Sequence, residues 1–321
     1  MAELILHHYA TSPFSEKVRL VLGCKGLAWR SVVVPMIMPK PDVVALTGGY
    51  RRTPFLQIGA DVYCDSALMC RVLDKMHPRP PLYPHTDRGL AEIVSQWADA
   101  ALFWAAVPYA MRAGGGPVIM AQAEPEHDTG APLPERLKAF GADRAAMMGS
   151  ARTGGVSDLK ATLLTYLERL EHMLADGRPF ILGALVSIAD FSVAQSIWFI
   201  RMAPPIAEVL KPYRKLLAWY ERIEAGGHGT SKRMSSGEAL QLANEAALAG
   251  THAPVELDTT QGFAAGDEVQ VTPTDYAHDP VAGRLVGLDS SEVVVERTDP
   301  RAGTVHVHFP RVGFQIKKPA P

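Results

Sequence analysis

Residues 10–20 read "ATSPFSEKVRL", and they follow the apolar run "ELILHHY" (3–9). Leu4, Ile5 and Leu6 are consecutive, the pattern of a strand buried on both faces. Ser12 and Pro13 then stand where a helix begins. A serine hydroxyl accepts from an unpaired first-turn amide, and proline's fixed φ suits the first helical position. Phe14, Val18 and Val21 recur at helical spacing, and Gly26 offers a stop. "WRSVVVPM" (29–36) predicts a second strand, parallel to the first in a right-handed unit. "TPFLQIG" (53–59) and "DVYC" (61–64) read as two strands joined at Gly59-Ala60, and Asp65-Ser66 open the helix "SALMCRVLDKMH" (66–77). Residues 1–78 therefore read βαβ–ββα, a small domain of its own.

"HPRPPLYP" (77–84) has the proline content of a linker. Beyond it the pattern is helical: 88–111, with a kink expected at Pro108, then 157–176, 187–200, 213–225 and 236–249. Ser187 and Asp190 have the spacing of a capping box. The Gly- and Ala-rich stretch 113–155 gives no clear pattern. From Gly262 the signal changes to five short strands separated by Gly, Asp and Pro turns, which predicts a small barrel of SH3-like or OB-like size. The expected domains are 1–78, 86–249 and 262–318.

Composition narrows the function classes. The chain has 321 residues, 47% hydrophobic and 21% charged, with a formal charge of -2. That balance gives no bulk attraction to nucleic acid or a membrane surface. The tail is no exception, since residues 261–321 hold eight acidic and six basic residues. "MAELILHHYA" has no basic region followed by a long apolar stretch, and no apolar run is long enough to span a membrane. Cys24, Cys64 and Cys70 form neither a disulfide nor a metal pattern. A cytoplasmic location is the expectation.

The segments "SPFSEKVRL", "RRTPFL" and "CDSALM", in this order and followed by an all-helical region, resemble the glutathione transferase superfamily. The resemblance covers residues 3–248. It implies an α/β thioredoxin-like N-terminal domain plus an all-α domain, with the predicted β-barrel as an addition. It also implies a homodimer, glutathione as cosubstrate, and a detoxifying transfer to a small hydrophobic electrophile. Tau-like and omega-like members carry their catalytic Ser or Cys immediately before Pro-Phe, where Ser12 stands. Thr53 and Pro54 occupy the places that pair with the cysteinyl part of glutathione. Asp65 and Ser66 match the pair that grips its γ-glutamyl end, and Lys40 lies near the lysine that meets the glycyl carboxylate.

Elementary chemistry agrees. A free thiol has a pKa near ~8.5, and lowering it by two units needs ~2.7 kcal/mol. A hydrogen bond to a charged group contributes ~1.5–3 kcal/mol and a helix N-terminus ~0.3–1 kcal/mol. A Ser12 hydroxyl at that terminus is therefore sufficient to hold a thiolate. Positions 12 and 15 are both serine, so the stretch cannot form a mixed disulfide with glutathione. Conjugation or addition is expected in place of disulfide exchange. Some of Phe103, Trp104 and Met111 are expected to line an apolar electrophile pocket, against the plainer reading of all three as core. His7 and His8 read as structural, because adjacent strand residues face opposite ways. His306-x-His308 lies on one strand face, but two ligands do not make a metal site, and no metal is expected. Two rival functions stay open: a non-catalytic thiol-binding or interaction module, and a glutathione-dependent isomerase or lyase.

Overall fold

A computed structural model describes residues 3–123, 130–149 and 154–319. The chain opens with β1 (Ile5–His8), α1 (Pro13–Cys24), β2 (Ala28–Val33), α2 (Pro41–Thr47), β3 (Phe55–Ile58), β4 (Asp61–Cys64) and α3 (Ser66–Met76). β1 pairs parallel with β2 and antiparallel with β3, which pairs antiparallel with β4. This is the predicted unit with one addition. Helix α2 escapes a sequence reading because it is one short element in a segment that opens on prolines. Pro41 sits in its first turn and Gly48, at φ 76°, ends it.

The helical region comprises α4 (Arg88–Trp97), α5 (Phe103–Ala110), α6 (Gly116–Met120), α7 (Leu133–Met148), α8 (Val156–Met173), α9 (Ile188–Arg201), α10 (Pro204–Ala207), α11 (Arg214–Glu224) and α12 (Ser236–Leu248). Single π-turns, Ala98–Leu102 and Met111–Gly115, flank α5. Helical dihedrals run through Pro108, and the break comes later, at Ala113 and Gly114. Gly114 takes φ 102°, which costs a residue without Cβ little. The Ser187/Asp190 capping box forms. The Asp190 carboxylate is fully buried and also accepts from Ile181 N–H and Trp219 Nε1–H, both at 2.8 Å, tying three segments together. Among the described residues no helix is long and apolar enough to cross a membrane.

The tail departs from the expected free-standing barrel. Its five strands are present: β6 (Glu268–Pro273), β7 (Val281–Leu288), β8 (Glu292–Asp299), β9 (Gly303–Pro310) and β10 (Phe314–Lys317). β10 returns to β6, as a small barrel requires, but β9 pairs parallel with β4. One ten-stranded sheet results, in the order β10-β6-β7-β8-β9-β4-β3-β1-β2-β5. The physical reason is the edge of β4, whose backbone groups are left unpaired by the opening unit and are satisfied by β9. At the other edge β5 (Thr230–Arg233) adds to β2 in parallel. Its four residues are all exposed, so no apolar alternation announces it.

Two cores follow. One packs α1 and α3 against the helical region, through Val18, Leu73, Leu163 and Leu167. The other packs α2 and α12 against the tail, through Leu46, Leu240, Val271 and Phe309. His7 and His8 face opposite ways, as expected. His7 is held by Gln57 at 2.8 Å and stacks on Phe55, while His8 meets Ser31 at 2.8 Å and Arg19 at 3.1 Å. Burial drops the His7 imidazole to about 4, so it is neutral at pH 7.

Candidate active site

A cleft of about 630 Å³ opens between the thioredoxin-like unit and the helices. Thr53, Pro54, Asp65 and Ser66 line one wall, and Phe103 and Trp104 line the other. The Thr53–Pro54 peptide bond is cis. Asp65 caps α3: its Oδ1 accepts from Ala67 N–H at 2.8 Å. Its backbone sits at φ 76°, ψ 132°, a region that costs a non-glycine residue ~1–3 kcal/mol and that clusters at functional sites. Asp65 lines the cleft at the start of α3.

Ser66 is braced from behind. Lys17, on α1, is fully buried and donates to Ser66 Oγ at 3.3 Å and to Asp99 Oδ2 at 2.5 Å. Gln195 donates to the other Asp99 oxygen at 2.7 Å. Burial opposes the Lys17 charge, but the Asp99 carboxylate holds its pKa above the ordinary lysine value. Asp99 lies in the first π-turn, which swings its carboxylate into the cleft wall.

Lys40 is placed differently from the expectation. It is 2% exposed and does not line the cleft, and it donates to Arg51 C=O at 3.1 Å and to Thr53 Oγ1 at 3.3 Å. Burial, with Arg144 as a further repulsion, brings its pKa down to about 7. It buttresses the Thr53 turn from inside. Ser12 caps α1, with Oγ accepting from Ser15 N–H at 3.2 Å. Ser12 is 2% exposed and is not on the cleft surface, although Phe14 two residues on is. Met111 also lies off the cleft and packs against the helical core.

The loop between β6 and β7 supplies residues that sequence reading missed. Thr274, Asp275 and Tyr276 form part of the cleft wall. Arg52 donates to Asp275 Oδ1 at 2.5 Å and to Tyr276 C=O, and its guanidinium lies 4.1 Å over the Tyr276 ring. Tyr276 in turn meets Trp104 edge-on at 5.5 Å. Ala277 N–H donates to Met147 C=O at 2.7 Å, and Arg144 of the same helix donates to Tyr9 Oη at 3.3 Å. The tail loop and α7 are thus latched over the end of β1, three residues before Ser12. The only sequence cue was the doubled arginine ahead of Thr53.

Residues 6–81 match a family model for the glutathione S-transferase N-terminal domain, and 151–222 match one for the C-terminal domain. A GST-like protein from Pseudomonas syringae has a solved structure that is 39% identical to this chain. The match covers 99% of this chain and 100% of that one, with a TM-score of 0.77. The chain belongs to the glutathione transferase superfamily. Because the match to that relative spans this chain from end to end, the β-rich tail belongs to the shared architecture.

Two other relatives match less of the chain. Pyrimidodiazepine synthase of Drosophila melanogaster is 32% identical over 85 residues, 25% of this chain and 35% of its own length. The match therefore spans about a third of that relative. The β-etherase LigF of Sphingobium sp. strain SYK-6 shares the fold, with 19% identity, a TM-score of 0.52, and coverage of 69% of this chain and 95% of its own. Neither Cys64 nor Cys70 is suited to redox chemistry at the cleft. Cys64 and Cys70 are fully buried, and burial pushes Cys70 up to about 12 and Cys64 well above the thiol range.

Proposed function

We propose that this protein is a cytoplasmic, homodimeric glutathione transferase that activates the glutathione thiol for attack on a hydrophobic electrophile. The observation that carries the reading is the cleft itself, with the Thr53-Pro54 and Asp65-Ser66 pairs on one wall and an aromatic pair, Phe103 and Trp104, on the other. Asp65 takes the α-ammonium of the γ-glutamyl end, and Ser66 with the amides behind it takes the carboxylate at the helix N-terminus. Thr53 offers its backbone to the cysteinyl unit, with Lys40 positioning the turn. Ser12 holds the sulfur as thiolate once glutathione binding uncovers its hydroxyl, which is 2% exposed in the free protein. Its Oγ accepts one bond from Ser15 N–H, and its own hydrogen is left to donate.

The electrophile lies against Phe103 and Trp104, under Tyr276. The thiol proton leaves to solvent and the thiolate pair forms the C–S bond; either a leaving group departs with its bonding pair, or the acceptor's π pair moves off the attacked carbon and takes a proton from solvent. The protein's part is electrostatic and positional, and no covalent intermediate on the enzyme is involved. The test is retention on immobilised glutathione, thermal stabilisation by free glutathione, and conjugation of an aryl halide. The reading expects all three, with Asp65→Ala weakening glutathione binding by about 10–100-fold. A chain that ignores glutathione in every assay is the thiol-binding or interaction module instead. The match to pyrimidodiazepine synthase favours a second reading, a glutathione-dependent reaction on one particular metabolite, which a substrate screen separates from general conjugation.

A further inference from the structure

At the seam between β4 and β9, far along the strand from Asp65, four side chains meet. His308 Nε2 lies 2.9 Å from Asp61 Oδ1. His252 Nδ1 and His306 Nδ1 each lie 3.9 Å from the same oxygen, too far for a hydrogen bond. Both Nδ1 atoms are buried and have no hydrogen-bond partner among the described residues. His306 is 8% exposed, Asp61 5% and His308 1%, so bulk water does not supply the missing partners. A buried ring nitrogen left without a partner is costly, and two of them beside one carboxylate oxygen call for an occupant.

The surroundings are those of metal ligands. Each β9 imidazole turns its second nitrogen to a carboxylate on β8: His306 Nε2 is 3.5 Å from Glu296 Oε2, and His308 Nδ1 is 3.4 Å from Glu292 Oε2. Such carboxylates fix the tautomer of a ligating histidine. Arg284 occupies the other Glu296 oxygen, and Ala253 N–H occupies Asp61 Oδ2 at 2.8 Å, which leaves Oδ1 for the site. Bonds of ~2.0–2.1 Å in a tetrahedron separate neighbouring donors by ~3.3–3.4 Å. One donor atom each from Asp61, His252 and His306 lies within 4.8 Å of the others, a spread that small ring movements close, and His308 falls outside this group.

We propose that Asp61, His252 and His306 form a three-ligand site, completed to a tetrahedron by water, for a divalent transition ion of the zinc type, which pins the tail and its linker to β4. Two imidazoles and one carboxylate suit such an ion and not a hard cation that prefers oxygen. His308 keeps its hydrogen bond to Asp61 Oδ1 and orients that carboxylate toward the ion. His252 and His306 stack at 3.8 Å between centroids, so His252 must tilt to bring both lone pairs onto one centre. It sits on the linker with its side chain 18% exposed, which provides both the freedom and the entry path.

The test uses tag-free full-length protein, stripped with a chelator and titrated with Co²⁺, then with Zn²⁺. The expected result is one equivalent of Co²⁺ with the intense d–d absorption of tetrahedral coordination, displaced by Zn²⁺. His252→Ala and His306→Ala should each weaken binding by more than the ~10–100-fold typical of losing an outer carboxylate such as Glu296. His252→Ala changes only a linker residue, so it reports on the site even if His306→Ala fails to fold. No tetrahedral band in the wild-type chain, or undiminished binding in His252→Ala, would overturn the proposal.

Discussion

Asp61 and Asp65 stand at the two ends of one strand and its cap, yet they meet opposite surroundings. Asp65 is half-buried, held in a strained turn and aimed into an open cleft. Asp61 is closed in by three imidazoles and by the tail that pairs with β4. At the Asp65 end the two buried lysines behind the wall have partners: Lys17 has Asp99 and Ser66, and Lys40 has Arg51 and Thr53. At the Asp61 end two ring nitrogens have none among the described residues. A wall that receives a ligand at its surface needs its supporting charges held, because any slack behind it moves the binding atoms. A site that takes an ion into its interior must instead hold donors in reserve.

The bracing can be broken directly. Lys17→Met leaves Asp99 buried without its counter-ion and should cost about 3–5 kcal/mol in urea unfolding, while also loosening glutathione binding through Ser66. A loss below 1 kcal/mol would show that the pair does not hold the wall. The second brace has a pH signature. Lys40 releases its proton near 7 when folded and near 10.5 when unfolded, so between those values the unfolded chain holds more protons. Stability therefore rises with pH across that window, by of order 2 kcal/mol between pH 7 and 9 for this group. Unfolding curves at the two pH values should show the rise in the wild type and its disappearance in Lys40→Met. The smallest effect is expected at the lid. Tyr276→Ala removes a cation–π contact worth ~0.5–2 kcal/mol and opens the cleft beside Trp104. Steady-state kinetics should show bulkier aryl electrophiles gaining in kcat/KM relative to small ones, and an unchanged ranking would remove Tyr276 from the pocket.

The two ends also differ in how far they can be read without coordinates. The Asp65 end is written in local sequence: a strand, a turn, a capping pair and a proline are all neighbours, and DVYC became β4 over the residues predicted. The Asp61 end depends on partners far along the chain, with His308 247 positions away and the Ala253 amide 192. His306-x-His308 was visible as a pair on one strand face, but nothing local shows that β9 docks on β4. For the same reason the tail reads as a separate barrel, and nothing local connects Asp275 and Tyr276 with Arg52. The contacts of Lys40 with Arg51 and Thr53, 11 and 13 positions on, depend on short α2, which its prolines hide. Ser12 as a cap was legible. Its place behind the cleft surface, beside the latch of α7 and the tail loop, was not.

The central claim concerns Ser12 and the sulfur of bound glutathione, and ultraviolet titration of the enzyme-bound thiolate tests it most directly. The wild-type complex should titrate about 1–2 units below the ~8.5 of a free thiol, and Ser12→Ala should return most of that shift while glutathione still binds through Asp65 and Ser66. Identical titration curves for the two proteins would contradict the assignment and leave Ser12 as a helix cap alone.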